Sequence, residues 1–252
     1  MKYMKVGQMQ VYIAESRAQM GEISGHDVAA MLKTLLAIKD EINVMFAAAP
    51  SQNDVLATLV SDKEIAWNRV NAFHMDEYIG LAKTAPQGFG NFLRERVFSK
   101  ADFKTVNYIN PEADDPQAEA DRYEALLKEF PMDVCILGIG ENGHVAFNDP
   151  GEADFNDPRL VKTVTLDERC RQQQVNDGCF ATLDDVPKTA MTVTVPGLLR
   201  AKAMFCIVPT TNKAEAVKNT VLGEINDMCP ASILRTKAGA KLYLDPDAAS
   251  LL

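Results

Sequence analysis

The stretch Asp133-Val-Cys-Ile-Leu-Gly-Ile-Gly-Glu-Asn-Gly-His-Val-Ala-Phe-Asn-Asp149 carries an apolar strand straight into a glycine-rich turn bearing a histidine, amides and acids. Open α/β sheets present their chemistry at the carboxyl ends of strands, so this run predicts a sheet strand that delivers a catalytic loop. Gly138-Ile-Gly-Glu-Asn-Gly143 also fits the dinucleotide pattern G-x-G-x-x-G, but that pattern needs a long helix on which a pyrophosphate can sit. Asp149-Pro-Gly151 ends any such helix after about one turn. The segment therefore reads as a catalytic loop and not as a nucleotide fingerprint.

Outward from this strand, helical and strand-like patterns alternate, which predicts an α/β fold: one Rossmann-like, doubly wound domain over residues 1–252 with a mainly parallel sheet flanked by helices. Strands are expected at Ile42–Ala48, Arg69–Met75, Lys104–Ile109, Val161–Thr165, Ala190–Val195, Ala203–Val208 and Lys241–Leu244. Helices are expected at Asp27–Asp40, after the turn Pro50–Asp54, at Gly88–Phe98, from Pro116 to Phe130 and at Asn212–Leu222. No internal repeat or linker marks a boundary.

The chain has 252 residues, 47% of them hydrophobic, which is enough to bury one large core. Its net charge of -9 disfavours nucleic acid or an anionic membrane as partner, because both reward basic surfaces. An anionic substrate must then meet a local positive site. Cys135, Cys170, Cys179, Cys206 and Cys229 show no paired spacing and read as reduced, buried thiols of a cytoplasmic protein. No run approaches the roughly 20 apolar residues that span a bilayer.

Three loops are candidates to converge. After Met75 come Asp76, Glu77 and Tyr78, where a strand-end carboxylate can act as a base or simply cap the next turn. The second loop offers His144, a residue type whose unperturbed pKa of about 6.5 suits proton transfer, with Asp149 near enough in sequence to orient it and Asn142 available to steer a hydroxyl. His26 and His74 read as structural. The third is the strand-to-helix turn holding Ser51, Gln52 and Asn53, whose donors suit a phosphate or a plain helix cap. Thr210-Thr-Asn-Lys213 repeats that arrangement, with Lys213 either a phosphate-binding charge or a solvated lysine.

Phe73-His-Met-Asp-Glu-Tyr-Ile-Gly-Leu81 followed by Leu137-Gly-Ile-Gly-Glu-Asn-Gly-His-Val-Ala-Phe-Asn-Asp-Pro-Gly151 resembles the glucosamine-6-phosphate deaminase (isomerase) family, related to the 6-phosphogluconolactonases. The likeness continues through Lys162–Leu166, Val186–Val193 and Thr210–Lys213, so it covers most of the chain from about Ile42 onward. It implies an enzyme, free of metal or nucleotide cofactor, that turns an amino-sugar 6-phosphate into a ketose 6-phosphate and ammonia. On matching positions it implies Asp76 as the base between C2 and C1, His144 in ring opening with Asn142 and Asp149 orienting it, and Lys213 at the phosphate. Its partner is then a small sugar phosphate, with neither nucleic acid nor membrane, and a homo-oligomer stays open.

This chain departs from the family pattern at particular residues. The glycine-rich phosphate turn is replaced by Pro50-Ser-Gln-Asn53. Gln174 aligns with an expected arginine, with Arg169 and Arg171 nearby as substitutes. Asp149 stands where glutamate is usual. Little chain follows Leu244, so activator-dependent regulation is not expected. Two other readings stay beside the deaminase: a 6-phosphogluconolactonase-type hydrolase using His144 on water, and a non-catalytic sugar-phosphate sensor.

Overall fold

The computed structural model describes residues 1–252. Its main sheet holds eight strands: β1 (Lys2–Val6), β2 (Met9–Ile13), β3 (Ile42–Phe46), β4 (Val70–His74), β6 (Thr105–Asn107), β7 (Val134–Leu137), β10 (Ala203–Val208) and β11 (Ala240–Leu244). In space they run β1-β2-β11-β10-β7-β3-β4-β6, and every neighbouring pair is parallel except the β1–β2 hairpin. Successive side chains of a strand face opposite ways. Thus Cys135 and Leu137 of β7 join one core, and Val134 and Ile136 the other. Both faces are covered, which is why β3, β4 and β10 read as continuous apolar or buried runs with no polar alternation.

Apart from the short α5 (Glu168–Asn176) and α6 (Val195–Leu199), one layer of helices includes α4 (Pro116–Glu129) and α7 (Ala214–Leu222), whose Tyr123, Leu127, Val217 and Val221 pack into the first core. The opposite layer includes α1 (Arg17–Leu36), α2 (Asn53–Ser61) and α3 (Phe89–Leu93), contributing Val28, Leu32, Val55, Leu59 and Leu93 to the second. From β3 the chain winds outward one way through β4 and β6, then returns to β7 and winds the other way through β10 and β11. The order reverses between β3 and β7. Ligand crevices of open α/β sheets form at that switch point, outside the carboxyl ends of the strands.

Two differences from the sequence reading bear on the site. Two of the four strands expected after residue 160 do not join the main sheet: β8 (Val161–Thr165) and β9 (Thr189–Val193) form a separate antiparallel sheet with β5 (Asp76–Tyr78), in the order β5-β9-β8. The alternating exposure of β8 marks it as half-buried, unlike the strands of the parallel sheet. The second difference is that α1 starts ten residues earlier than the expected Asp27, capped by Ser16, whose hydroxyl accepts from the Gln19 N–H. Gly21 and Gly25 look like breakers in the sequence, yet here they serve close packing. A Cβ on Gly21 would lie 2.5 Å from Cβ of Asp54, and one on Gly25 2.5 Å from Cβ of Thr58, so α1 and α2 touch nearly backbone to backbone.

Gly25→Ala tests this contact. Helix propensity alone would favour alanine by about 1 kcal/mol. Overpacking a tight contact costs about 1–3 kcal/mol. The expected net result is a lowered urea midpoint, whereas an unchanged or higher midpoint would mean that the two helices separate freely.

Candidate active site

The carboxyl ends of β3, β4, β7 and β10 open into one cavity of about 150 Å³, whose lining includes Ser51, Asp76, Gly138, Gly140, His144, Gln174 and Lys213. The three loops singled out in the sequence therefore do converge.

His144 is fixed by its own loop. Its backbone N–H and its ring Nδ1 both lie on Asn142 Oδ1, at 3.1 and 2.7 Å, and Nδ1 is also 3.0 Å from Asp149 Oδ1. Two acceptors on Nδ1 require that it carry the proton, which leaves Nε2 free to accept on the cavity side. Asn142 cannot turn over, since its amide nitrogen donates to Asp149 Oδ1 at 2.9 Å. Gly140 makes room for the ring, because any Cβ there would sit 2.1 Å from it. Burial alone would raise the Asp149 carboxyl, but the imidazole and the Asn142 amide outweigh it and hold the group below the ordinary carboxylate range. The shorter aspartate thus still reaches the ring. The Cys170 thiol completes the cluster: one ligand-type atom from each of His144, Asp149 and Cys170 lies within 4.8 Å of the others.

Asp76 is held differently. At Met75 the chain leaves the parallel sheet, and Asp76 opens β5 of the small sheet opposite Thr192. Its carboxylate accepts no hydrogen bond from the protein, while burial and then the neighbouring Glu77 push its pKa well above the ordinary value. Glu77 is pushed up by burial as well, but three backbone N–H groups, of Tyr78, Phe89 and Gly90, satisfy it and tie the following loop to α3. One acid of the pair is structural and the other faces the cavity.

At the far end stands Lys213, the last residue of the turn Thr211–Lys213 ahead of α7. It is 5% exposed, its ammonium makes neither a hydrogen bond nor an ion pair, and burial pulls its pKa below the lysine norm. The turn is set by Thr210, whose φ of 80° lies where glycine is the usual residue. Asp245 holds that strained peptide, both its oxygens accepting from the Thr210 N–H at 3.1 and 3.0 Å.

With this geometry in view, the comparisons are specific. A family model described as glucosamine-6-phosphate isomerases/6-phosphogluconolactonase matches residues 15–243. The chain belongs to this family. Among its relatives, a glucosamine-6-phosphate deaminase of Listeria monocytogenes is 35% identical over 212 residues, 84% of this chain and 88% of that protein. One of Bacillus cereus is 30% identical over 243 residues, 96% of this chain and 89% of that protein. The solved structure of a monomeric glucosamine-6-phosphate deaminase superposes with a TM-score of 0.89 at 28% identity, covering 99% of this chain and 100% of that one. A 6-phosphogluconolactonase of Thermotoga maritima shares the fold, with a TM-score of 0.76 at 20% identity over 94% of this chain and 99% of that one.

Measured against the family pattern, not every expected residue reaches the cavity. Ser51 does. Gln52 turns into the core, its amide nitrogen donating to the Ile207 carbonyl at 3.1 Å and to Ser51 Oγ at 3.2 Å. Asn53 begins α2 and accepts from Arg96 Nε at 2.8 Å. Ser51 and Gln52 lie in a 3-10 turn, which rotates about 120° per residue, and Asn53 opens the α-helix after it, so the three cannot share one direction. The reading of Lys213 as solvated is overturned by its burial. Arg169 and Arg171 do not stand in for the missing arginine: the first donates to the Glu141 carbonyl and the second to those of Leu183 and Val186, away from the cavity. Sequence reasoning missed Arg17, which does line it.

A buried carboxyl with a raised pKa favours the protonated folded state, so it contributes stability at low pH that is lost as pH rises through the folded pKa. Asp76→Asn should therefore raise the urea midpoint at pH 7.5, with the gain shrinking as pH falls toward the ordinary carboxylate value. A variant less stable than the wild type at pH 7.5 would contradict the solvation assigned to this carboxylate.

Proposed function

We propose that this chain is a glucosamine-6-phosphate deaminase-type enzyme, an aldose-ketose isomerase that converts an amino-sugar 6-phosphate and water to a ketose 6-phosphate and ammonia. The observation that carries this reading is the pairing, in one cavity, of a buried carboxylate free of protein donors at Asp76 with an imidazole at His144 whose Nε2 is free to accept. Each suits a different proton transfer. Nε2 of His144 takes the proton of the anomeric hydroxyl and returns it to the ring oxygen, which opens the pyranose. Asp76 then removes the proton from C2 next to the aldehyde and returns it to C1 through an enol-type intermediate. The resulting imine at C2 adds water and expels ammonia, leaving the ketose.

The raised pKa of Asp76 suits it to both halves of that transfer, because a carboxyl poised nearer neutrality gives back the proton it has taken. Asn142 and Asp149 keep His144 in one tautomer throughout. Lys213, buried without a counter-ion, binds the phosphate, and the Ser51 hydroxyl is close at hand on the same wall.

Incubation of the purified protein with a panel of amino-sugar 6-phosphates, following ammonia and ketose together, tests the reaction. Lactone hydrolysis without ammonia release would favour the related hydrolase chemistry. In the same assay Asp76→Asn should abolish exchange of the C2 hydrogen with solvent, and exchange at the wild-type rate would remove Asp76 from its role. Lys213→Ala deletes a charge-assisted hydrogen bond worth about 1.5–3 kcal/mol, so KM should rise roughly tenfold to hundredfold. An unphosphorylated amino sugar should be unaffected by that change, and equal weakening of both sugars would refute the phosphate role.

A further inference from the structure

We propose that Arg17 supplies the second cation of the phosphate pocket, presented as a fork by Asp54; this deepens the deaminase reading and rests on it. Apart from the imidazole, Arg17 and Lys213 are the cationic side chains that line the cavity. A sugar phosphate carries close to two negative charges at neutral pH, and one buried lysine leaves it under-neutralised. The neutral amide of Gln174 lines the same cavity, and the arginines beside it are committed to backbone carbonyls elsewhere.

Arg17 comes from a different part of the chain, the first residue of α1. Its Nε donates to Asp54 Oδ2 at 2.8 Å, and its two Nη groups make no hydrogen bond to the protein. A guanidinium held at Nε keeps its outer nitrogens aligned for two parallel bonds to phosphate oxygens. Asp54 lies in the first turn of α2, directly after the turn that carries Ser51. The near-contact of α1 and α2 at Gly21 sets the two side chains opposite each other, because a larger residue there would collide with Asp54 itself. Stability does not account for the pair. The Arg17 side chain is 44% exposed, and exposed ion pairs contribute about 0–1 kcal/mol. Holding a guanidinium over a cavity that contains an unpaired lysine does account for it.

The test uses the full chain with Arg17→Gln, Arg17→Lys, Asp54→Asn and, as reference, Lys213→Ala. For each, KM and kcat are measured on the amino-sugar 6-phosphate, with competitive inhibition by inorganic phosphate and its Kd by calorimetry. Arg17→Gln should raise KM and the phosphate Kd roughly tenfold to hundredfold with kcat nearly preserved. Arg17→Lys should recover part of the loss, since it restores charge but not the fork. Asp54→Asn should give a smaller increase than Arg17→Gln, because it acts only by loosening the guanidinium. If Arg17→Gln leaves both constants unchanged while Lys213→Ala raises them, the inference is overturned and the deaminase reading stands. If the wild type releases no ammonia from any amino-sugar phosphate, the deaminase reading falls, and the calorimetric comparison still decides the role of Arg17. Equal phosphate affinity in wild type and Arg17→Gln, or no phosphate binding by the wild type, overturns it.

Discussion

The backbone position of Asp76 depends on one buried imidazole. Nε2 of His74 accepts the Ile109 N–H at 2.9 Å, so Nδ1 must carry the proton that it donates to the Asp76 carbonyl, also at 2.9 Å. Burial drives this ring to a pKa of about 4, which keeps it neutral and keeps the tautomer fixed. Tyr123 closes the arrangement, its hydroxyl donating to the His74 carbonyl and accepting from the His74 N–H. The strand can then leave the parallel sheet at Met75, whose carbonyl accepts from the Val193 N–H of the second sheet, without any freedom at the next residue. The Asp76 carboxylate thus stands at the joint between two sheets.

Solvation separates the acids of the site into distinct roles. Asp76 is buried with no donor and is pushed upward, while Asp149 is equally enclosed but collects an imidazole, an amide and a backbone N–H, and is held downward. The two side chains are chemically the same, so the difference lies in the donors that each loop supplies and in the neighbouring charge, Glu77 beside one and His144 beside the other. Displacing like groups in opposite directions is how one fold fits chemically identical acids to different tasks.

The parallel strands and the loops that follow them were legible because their signals are local. A continuous apolar run ending in Gly138 can hardly be anything but a covered strand with a turn after it, and His144 lies inside that turn. What was hidden depended on distant contacts. The expected start of α1 at Asp27 left Gly21, Gly25 and Arg17 outside the helix, and the packing that gives those glycines their place there depends on α2, which is distant in sequence. The directions of Gln52 and Asn53 depended on the Ile207 carbonyl and on Arg96, neither of which is near in sequence. The same holds for the second sheet, which the alternation of Val161–Thr165 hinted at but could not separate from the first.

Arg17 and Lys213 form a small positive recess in a protein of net charge -9. Two fields of opposite sign thus act on an approaching dianion. At long range the acidic body repels it, and this repulsion fades once the Debye length falls to about 10 Å near 0.1 M salt. Inside the recess Lys213 is buried, and salt screens the attraction of a buried charge far less. Added electrolyte therefore lowers the barrier to encounter before it weakens the grip on the bound anion, so the ionic strength of the surroundings acts on capture more than on retention.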